Sequence, residues 1–160
     1  MLTMINHENI VKLEDIVVGK DRDRYDVGLM FENSVYMVME YCEQDIDYLL
    51  KNQNRPWSLS EVKCLIRQLL AAVAYLHERW IIHRDLKTSN LLYTNKGQLK
   101  VADFGLVRMM GYPLRRVTTN VVTLWYRPPE LLLGSQLYSF ALDIWYCSCS
   151  ALILGLLDVY

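Results

Sequence analysis

Val62, Leu65, Ile66, Leu69, Leu70, Val73 and Leu76 recur every three or four residues as far as His77, which predicts a long helix with one apolar face. Ser58-Leu59-Ser60-Glu61 marks its start, because an S-x-x-E arrangement lets two side chains satisfy the first free N–H groups of a helix. Val11 to Val18 and Ser34 to Tyr41 (SVYMVMEY) read as strands, the second of them buried. Leu91-Leu92-Tyr93 and Leu99-Lys100-Val101 read as two shorter strands. Thr94-Asn95-Lys96-Gly97 between them is turn chemistry, so the chain should reverse there as a hairpin. Asp45 to Asn54 predicts a short helix, broken by Pro56 and Trp57, and Leu131 to Gly134 closes another. Ile144 to Leu157 is strongly apolar but short for a membrane span, and it reads as a buried helix. Residues 20–33 carry Lys20-Asp21-Arg22-Asp23-Arg24 and no apolar period, the pattern of a solvated loop.

Composition narrows the class without naming a chemistry. The 160 residues are 52% hydrophobic and 22% charged with a formal net charge of −1, an ordinary globular balance that implies no attraction to nucleic acid or membrane. The four cysteines, Cys42, Cys64, Cys147 and Cys149, lack C-x-x-C spacing. They point to a reduced intracellular compartment and to use as small apolar residues, not to zinc. MLTMINHENIVKLEDIVVG lacks a basic stretch followed by a continuous apolar run, so no signal peptide is expected.

The candidate chemistry lies in Ile81 to Val107, IIHRDLKTSNLLYTNKGQLKVADFGLV. His83-Arg84-Asp85-Leu86 and then Lys87-Thr88-Ser89-Asn90 fit H-R-D-L-x-x-x-N, and Asp103-Phe104-Gly105 follows the two short strands. The hairpin between them should return Asn90 and Asp103 to the same end. Ordinary turn polars are the alternative explanation. Eight specified residues, each at roughly 5% average usage, recur by chance about once in 10^10 windows, which disfavours it. Phosphoryl transfer needs charge neutralisation by a cation and in-line placement of a hydroxyl. Oxygen ligands suit magnesium, so Asn90 and Asp103 are the candidate metal ligands. Asp85 would orient the acceptor hydroxyl and take its proton, and Lys87 would meet the migrating phosphoryl group as a point charge.

These motifs resemble the core of a eukaryotic protein kinase, and Asp85-Leu86-Lys87 resembles its serine/threonine branch. The resemblance spans about residues 5 to 145 and implies an α+β fold. Residues 1–41 would be a partial small lobe with remnants of an antiparallel sheet, and 42–160 a partial, helical large lobe. It implies ATP and Mg2+ as cofactors. Glu40-Tyr41-Cys42-Glu43-Gln44-Asp45 resembles the hinge between lobes: the backbone of Glu40 and Cys42 would bond adenine, Met39 would flank the pocket, Leu92 would floor it, and Asp45 would lie near the ribose. Residues 108–129 resemble an activation segment. A phosphate on Thr118 could order it by pairing with Arg84 and Arg108. Thr123 resembles the threonine that bridges the catalytic aspartate and lysine. Val121, Val122 and Arg127 resemble the pocket that requires proline after the phosphoacceptor, implying protein substrates with Ser-Pro or Thr-Pro. Asp143 would hold the catalytic loop through backbone hydrogen bonds.

Further detail resembles the cyclin-dependent kinases, and among them the PISSLRE and PITSLRE types. The hinge favours the first and Lys87-Thr88-Ser89 the second. A cyclin partner for the full-length family, through a helix mostly missing here, and a nuclear and cytoplasmic location follow from that resemblance. The chain departs from the pattern in three ways. Arg127-Pro128-Pro129-Glu130 stands where R-A-P-E is usual, and the likeness fades after Trp145. No G-x-G-x-x-G loop, V-A-I-K lysine or partner glutamate occurs, so the expectation is a fragment with little transfer activity alone and with exposed apolar surface. Two functions remain: a serine/threonine kinase, or a non-catalytic kinase-like fragment that binds partners.

Overall fold

The computed structural model describes residues 5–19, 34–53, 55–111, 126–135 and 139–155. In chain order the elements are β1 (Leu13–Gly19), β2 (Ser34–Met39), β3 (Gln44–Asp45), α1 (Ile46–Asn52), α2 (Leu59–His77), β4 (Ile81–Ile82), β5 (Leu91–Tyr93), β6 (Leu99–Val101), β7 (Arg108–Met109), α3 (Pro129–Leu132) and α4 (Ala141–Ile153). Single 3-10 turns sit at Thr88–Asn90 and Phe104–Leu106. This mixture of helices and antiparallel strands is the α+β arrangement that the sequence leads one to expect.

Helix α2 organises the core because its periodic residues Val62, Leu65, Leu69, Val73 and Leu76 are all buried. Its start is fixed as expected: Ser58 Oγ accepts the Glu61 N–H at 3.3 Å, and Glu61 Oε2 accepts the Ser58 N–H at 2.8 Å. Arg55 grips the same carboxylate with two nitrogens at 2.9 and 2.6 Å, and Arg55 first and then Ser58 hold it far below the usual carboxylate range. The helix packs on β4, β6 and α4. Leu70 departs from the expected stripe and faces solvent. Cys64 likewise is exposed, not buried with the apolar residues.

Strands β3, β5 and β6 form an antiparallel sheet in that order, with Asp45 opposite Leu92 and Leu91 opposite Val101. The β5–β6 hairpin closes through Thr94 N–H to Gln98 O at 3.0 Å and Gly97 N–H to Thr94 O at 2.9 Å. Gly97 takes φ +80°, a left-handed conformation in which a side chain would be strained. Residues 9–11 add along the far edge of β6: Val101 N–H bonds Asn9 O at 2.8 Å and Val11 N–H bonds Val101 O at 3.0 Å. Gln68 on α2 locks this edge, its Oε1 accepting from Asn9 Nδ2 and from the Leu99 N–H, each at 2.9 Å.

Several boundaries and one burial expectation are corrected. The first strand begins at Leu13, because Val11 is already committed to β6, and the first helix begins at Ile46, because Asp45 is the last residue of β3 and caps it. The third helix spans Pro129–Leu132, with Gly134 at φ +81° ending it. The strand read as buried, β2, is not: Val35 is 64% exposed and Met37 55%. It pairs only with β1, and among the described residues no third strand or helix covers either face of this ribbon. Helix α4 is amphipathic in effect, with Leu142, Tyr146, Cys147 and Ala151 buried and Ile144, Trp145, Leu152 and Ile153 about half exposed. Among the described residues no helix is long and apolar enough to cross a membrane.

Candidate active site

The loop that joins β4 to β5 is held from below by one buried carboxylate. Asp143 of α4 accepts the His83 N–H and the Arg84 N–H, both at 2.9 Å, and His77 Nε2 at 2.8 Å. Three donors offset the cost of burying that polar group. The grip lets Arg84 take φ +73°, uncommon for a residue with a side chain. Asp143 thus performs the loop-holding role expected of it, and His77 is drawn into the same cluster.

His83 is buried, and burial pushes its pKa below the ordinary value near 6.5 despite the nearby Asp143, Asp85 and Asp103 charges. Its partners require the neutral ring. Nε2 lies 3.1 Å from the Ala102 carbonyl and must donate, while Nδ1 accepts the Asp85 N–H at 3.3 Å. The ring also meets Phe104 edge-on at 5.0 Å. His83 therefore ties the Asp85 backbone to the strand end that leads to Asp103.

Above this base stand the candidate side chains. Asp85 is 7% exposed, and its Oδ2 accepts from Lys87 Nζ at 2.9 Å and from Asn90 Nδ2 at 3.0 Å. Asn90 Nδ2 also donates to the Asp85 carbonyl at 2.9 Å. An amide whose nitrogen is committed in this way keeps its oxygen as the accepting end. The hairpin delivers the fourth residue: Ala102 N–H bonds Asn90 O at 2.9 Å, so the residue before Asp103 is fastened to Asn90. Asp103 is exposed with φ +59°, and its Oδ1 accepts the Gly105 N–H at 3.2 Å. A Cβ on Gly105 would lie 3.1 Å from that oxygen, so glycine leaves the carboxylate room.

The nucleotide-hinge candidates lie along β2 and β3. Met39 ends β2 half exposed, and Asp45 and Leu92 face each other across β3 and β5. The Asp45 carboxylate caps α1, accepting the Tyr48 N–H at 2.7 Å. Burial works against the Glu40 carboxylate, but Lys100 Nζ at 2.6 Å and the Lys12 N–H at 3.3 Å outweigh it and leave its pKa below the usual value. Partial burial, then the Glu40 charge, raises the Cys42 thiol. The Glu40–Lys100 pair was missed in the sequence. Its one signal is a lysine at the middle of the apolar strand Leu99-Lys100-Val101.

Arg84 Nε donates to the Leu106 carbonyl and Arg108 Nη1 to the Val107 carbonyl, so the two arginines line the start of the segment after Asp103. Arg127 is half-buried ahead of α3. Thr118, Val121, Val122 and Thr123 lie outside the described residues. Among the described residues no three His, Cys, Asp or Glu side chains cluster as a metal site. The donor set at this end is instead one carboxylate, Asp103, and one amide oxygen, Asn90. That set suits a hard cation that completes its shell with water and phosphate oxygens.

Comparison with known proteins agrees with this geometry. Residues 1–157 match the family described as protein kinase domain, and the chain belongs to that family. Its similarity within it is to cyclin-dependent kinases. It is 54% identical over 145 residues to a probable cyclin-dependent kinase 10 of Dictyostelium discoideum, covering 91% of this chain and 37% of that protein. It is 49% identical over 149 residues to cyclin-dependent kinase 11 of the same organism (93% and 39%), and 47% identical over 149 residues to cyclin-dependent kinase 10 of Homo sapiens (93% and 39%). The chain spans under two fifths of the length of these relatives.

Proposed function

We propose that this chain carries the phosphoryl-transfer centre of a serine/threonine protein kinase of the cyclin-dependent type, which moves the γ-phosphate of ATP to Ser or Thr followed by Pro. The observation that supports it most is the Asp85–Asn90–Ala102 chain of hydrogen bonds, which places an acceptor carboxylate, an amide oxygen and the approach to Asp103 at one end of the hairpin. Asn90 and Asp103 would hold Mg2+, which supplies charge neutralisation on the phosphates. Asp85 orients the acceptor hydroxyl and takes its proton, and Lys87, now paired with Asp85, offers its charge to the phosphoryl oxygens. Thr123 would bridge these two, as the family resemblance implies. Backbone groups of Glu40 and Cys42 would bond adenine, with Met39, Leu92 and Asp45 around the nucleotide. Thr118 would be the phosphorylated residue that pairs with Arg84 and Arg108, and Val121, Val122 and Arg127 would select proline. Residues 1–41 and 42–160 would be parts of the two lobes, and a cyclin the protein partner.

ATP titration of the chain with and without Mg2+ tests the site. The expected result is binding strengthened by Mg2+, with the Mg2+ increment lost in Asp103→Asn. Equal affinity with and without Mg2+ contradicts the reading. Labelled-phosphate transfer to a Ser-Pro peptide, lost in Asp85→Asn, establishes catalysis. Mg2+-dependent binding without transfer is the outcome for a non-catalytic binding fragment.

A further inference from the structure

Thr88 lies between Lys87 and Asn90, and its side chain is almost shut off from water, as is that of Tyr126. Their hydroxyl oxygens are 3.1 Å apart, and the Thr88 backbone N–H also donates to the Tyr126 oxygen at 3.3 Å. A third group sets the direction of the protons. Asp47 of α1 presents Oδ1 at 3.5 Å from Thr88 Oγ1, a long contact, and a carboxylate can only accept. With the Thr88 hydroxyl donating to Asp47, the Tyr126 O–H supplies the bond to Thr88, although the 3.1 Å contact by itself allows either oxygen to donate. In that arrangement the chain runs Tyr126 to Thr88 to Asp47, and each bond polarises the next. Lys51 balances the charge at its far end.

The three groups come from separate parts of the chain: α1, the Asp85 loop, and the segment leading into α3, which begins three residues after Tyr126. None is used in the phosphoryl-transfer reading. Yet Thr88 begins the 3-10 turn that ends at Asn90, and the Asn90 N–H bonds Lys87 O at 2.8 Å within it. Fixing Thr88 fixes that turn.

We propose that Thr88 and Tyr126 are positioning residues: their hydroxyl relay holds Lys87 and Asn90 in register with Asp85 and ties that register to residue 126. Any movement of Tyr126 then loosens the end of the loop that faces Asp103. The effect on metal and nucleotide rests on the function proposed above, whereas the mechanical link stands on the geometry alone.

The test compares Thr88→Val, which keeps the shape and removes the hydroxyl, with Thr88→Ser, Tyr126→Phe and the Thr88→Val/Tyr126→Phe double variant, all in the 160-residue chain. Amide hydrogen exchange at Asn90 and Ala102 reads the link. The expected result is exchange about 3- to 10-fold faster in Thr88→Val and Tyr126→Phe, the size of one hydrogen bond's net contribution. Thr88→Ser should stay near wild type, the double variant should be no faster than the faster single, Tyr126→Phe, which also loses the Thr88 N–H bond, and Leu69 and Val73 on α2 should be unchanged. Unchanged exchange at 90 and 102, faster exchange throughout α2, or additive effects in the double variant overturns the relay. The ratio of ATP affinity with and without Mg2+ reads the positioning role, and it should fall in the Val and Phe variants and recover in Ser. Faster exchange with an unaltered ratio overturns that role. Wild-type chain that shows no Mg2+-dependent ATP binding refutes the phosphoryl-transfer reading instead, and the exchange result still decides the link.

Discussion

His83 shows how one residue's protonation state is fixed by its neighbours. The Ala102 carbonyl needs a donor and the Asp85 N–H needs an acceptor, so one ring nitrogen carries the proton and the other does not. Protonation would set N–H against N–H. Because the folded pKa lies below the ordinary value near 6.5, the unfolded chain binds more protons in the window beneath that value. Stability is therefore expected to rise with pH through the window and to be lost as pH falls below about 6.5. Urea denaturation between pH 7 and 5 measures it, with a flatter profile expected for His83→Gln. The sequence motif located Asp85, Asn90 and Asp103, since their spacing is local and specific. It could not show that Lys100 reaches Glu40 or that Thr88 meets Tyr126, because such pairs depend on how distant elements pack. Asp85, Lys87 and Asn90, which the motif singles out, are side chains that meet in the structure.

At the scale of elements, helix α2 and the β5–β6 hairpin were legible because each carries its own instructions: a buried stripe with a capping box, and a turn with glycine where positive φ is needed. The Ser58 cap can be tested apart from the core. Ser58→Ala is expected to lower stability by about 1 kcal/mol, read as a shift in the denaturation midpoint with an unchanged slope. A change well below that would mean Arg55 alone organises Glu61. The apolar run of strand β2 predicts burial, and the strand is exposed for a physical reason. A strand's own pattern says which residues would suit a core, while its burial depends on what lies over each face. The boundary corrections have a similar origin, since Asp45 and Val11 are claimed by sheet partners that are distant in sequence.

Among the described residues an apolar core joins α2, the hairpin, the Asp85 loop and α4, and the candidate site sits where these meet. Among the described residues the apolar surfaces outside it include the β1–β2 ribbon and the strip of Ile66, Leu70, Ile144 and Leu152 between α2 and α4. Exposed surface of this kind favours association. On one face of the ribbon Val35 pairs with Val18 and Met37 with Ile16. Val35→Lys together with Met37→Lys is therefore expected to raise the monomer fraction in sedimentation at a given concentration. No change would place association on the helical strip. These surfaces match the exposed apolar patches anticipated from the sequence, though the sequence assigned them to the terminal run and not to β2.

The central claim is that Asn90 and Asp103 meet at one end of the hairpin to share a divalent cation beside Asp85. Manganese, which accepts the same oxygen ligands as magnesium, makes it directly measurable, because its unpaired electrons broaden nearby nuclear resonances. Titrating Mn2+ with ATP into the isotopically labelled chain should broaden the Asn90 side-chain amide and the Asp85 and Asp103 backbone amides first, and Asp103→Asn should abolish the effect. Broadening that begins elsewhere, or that survives Asp103→Asn unchanged, would contradict the account.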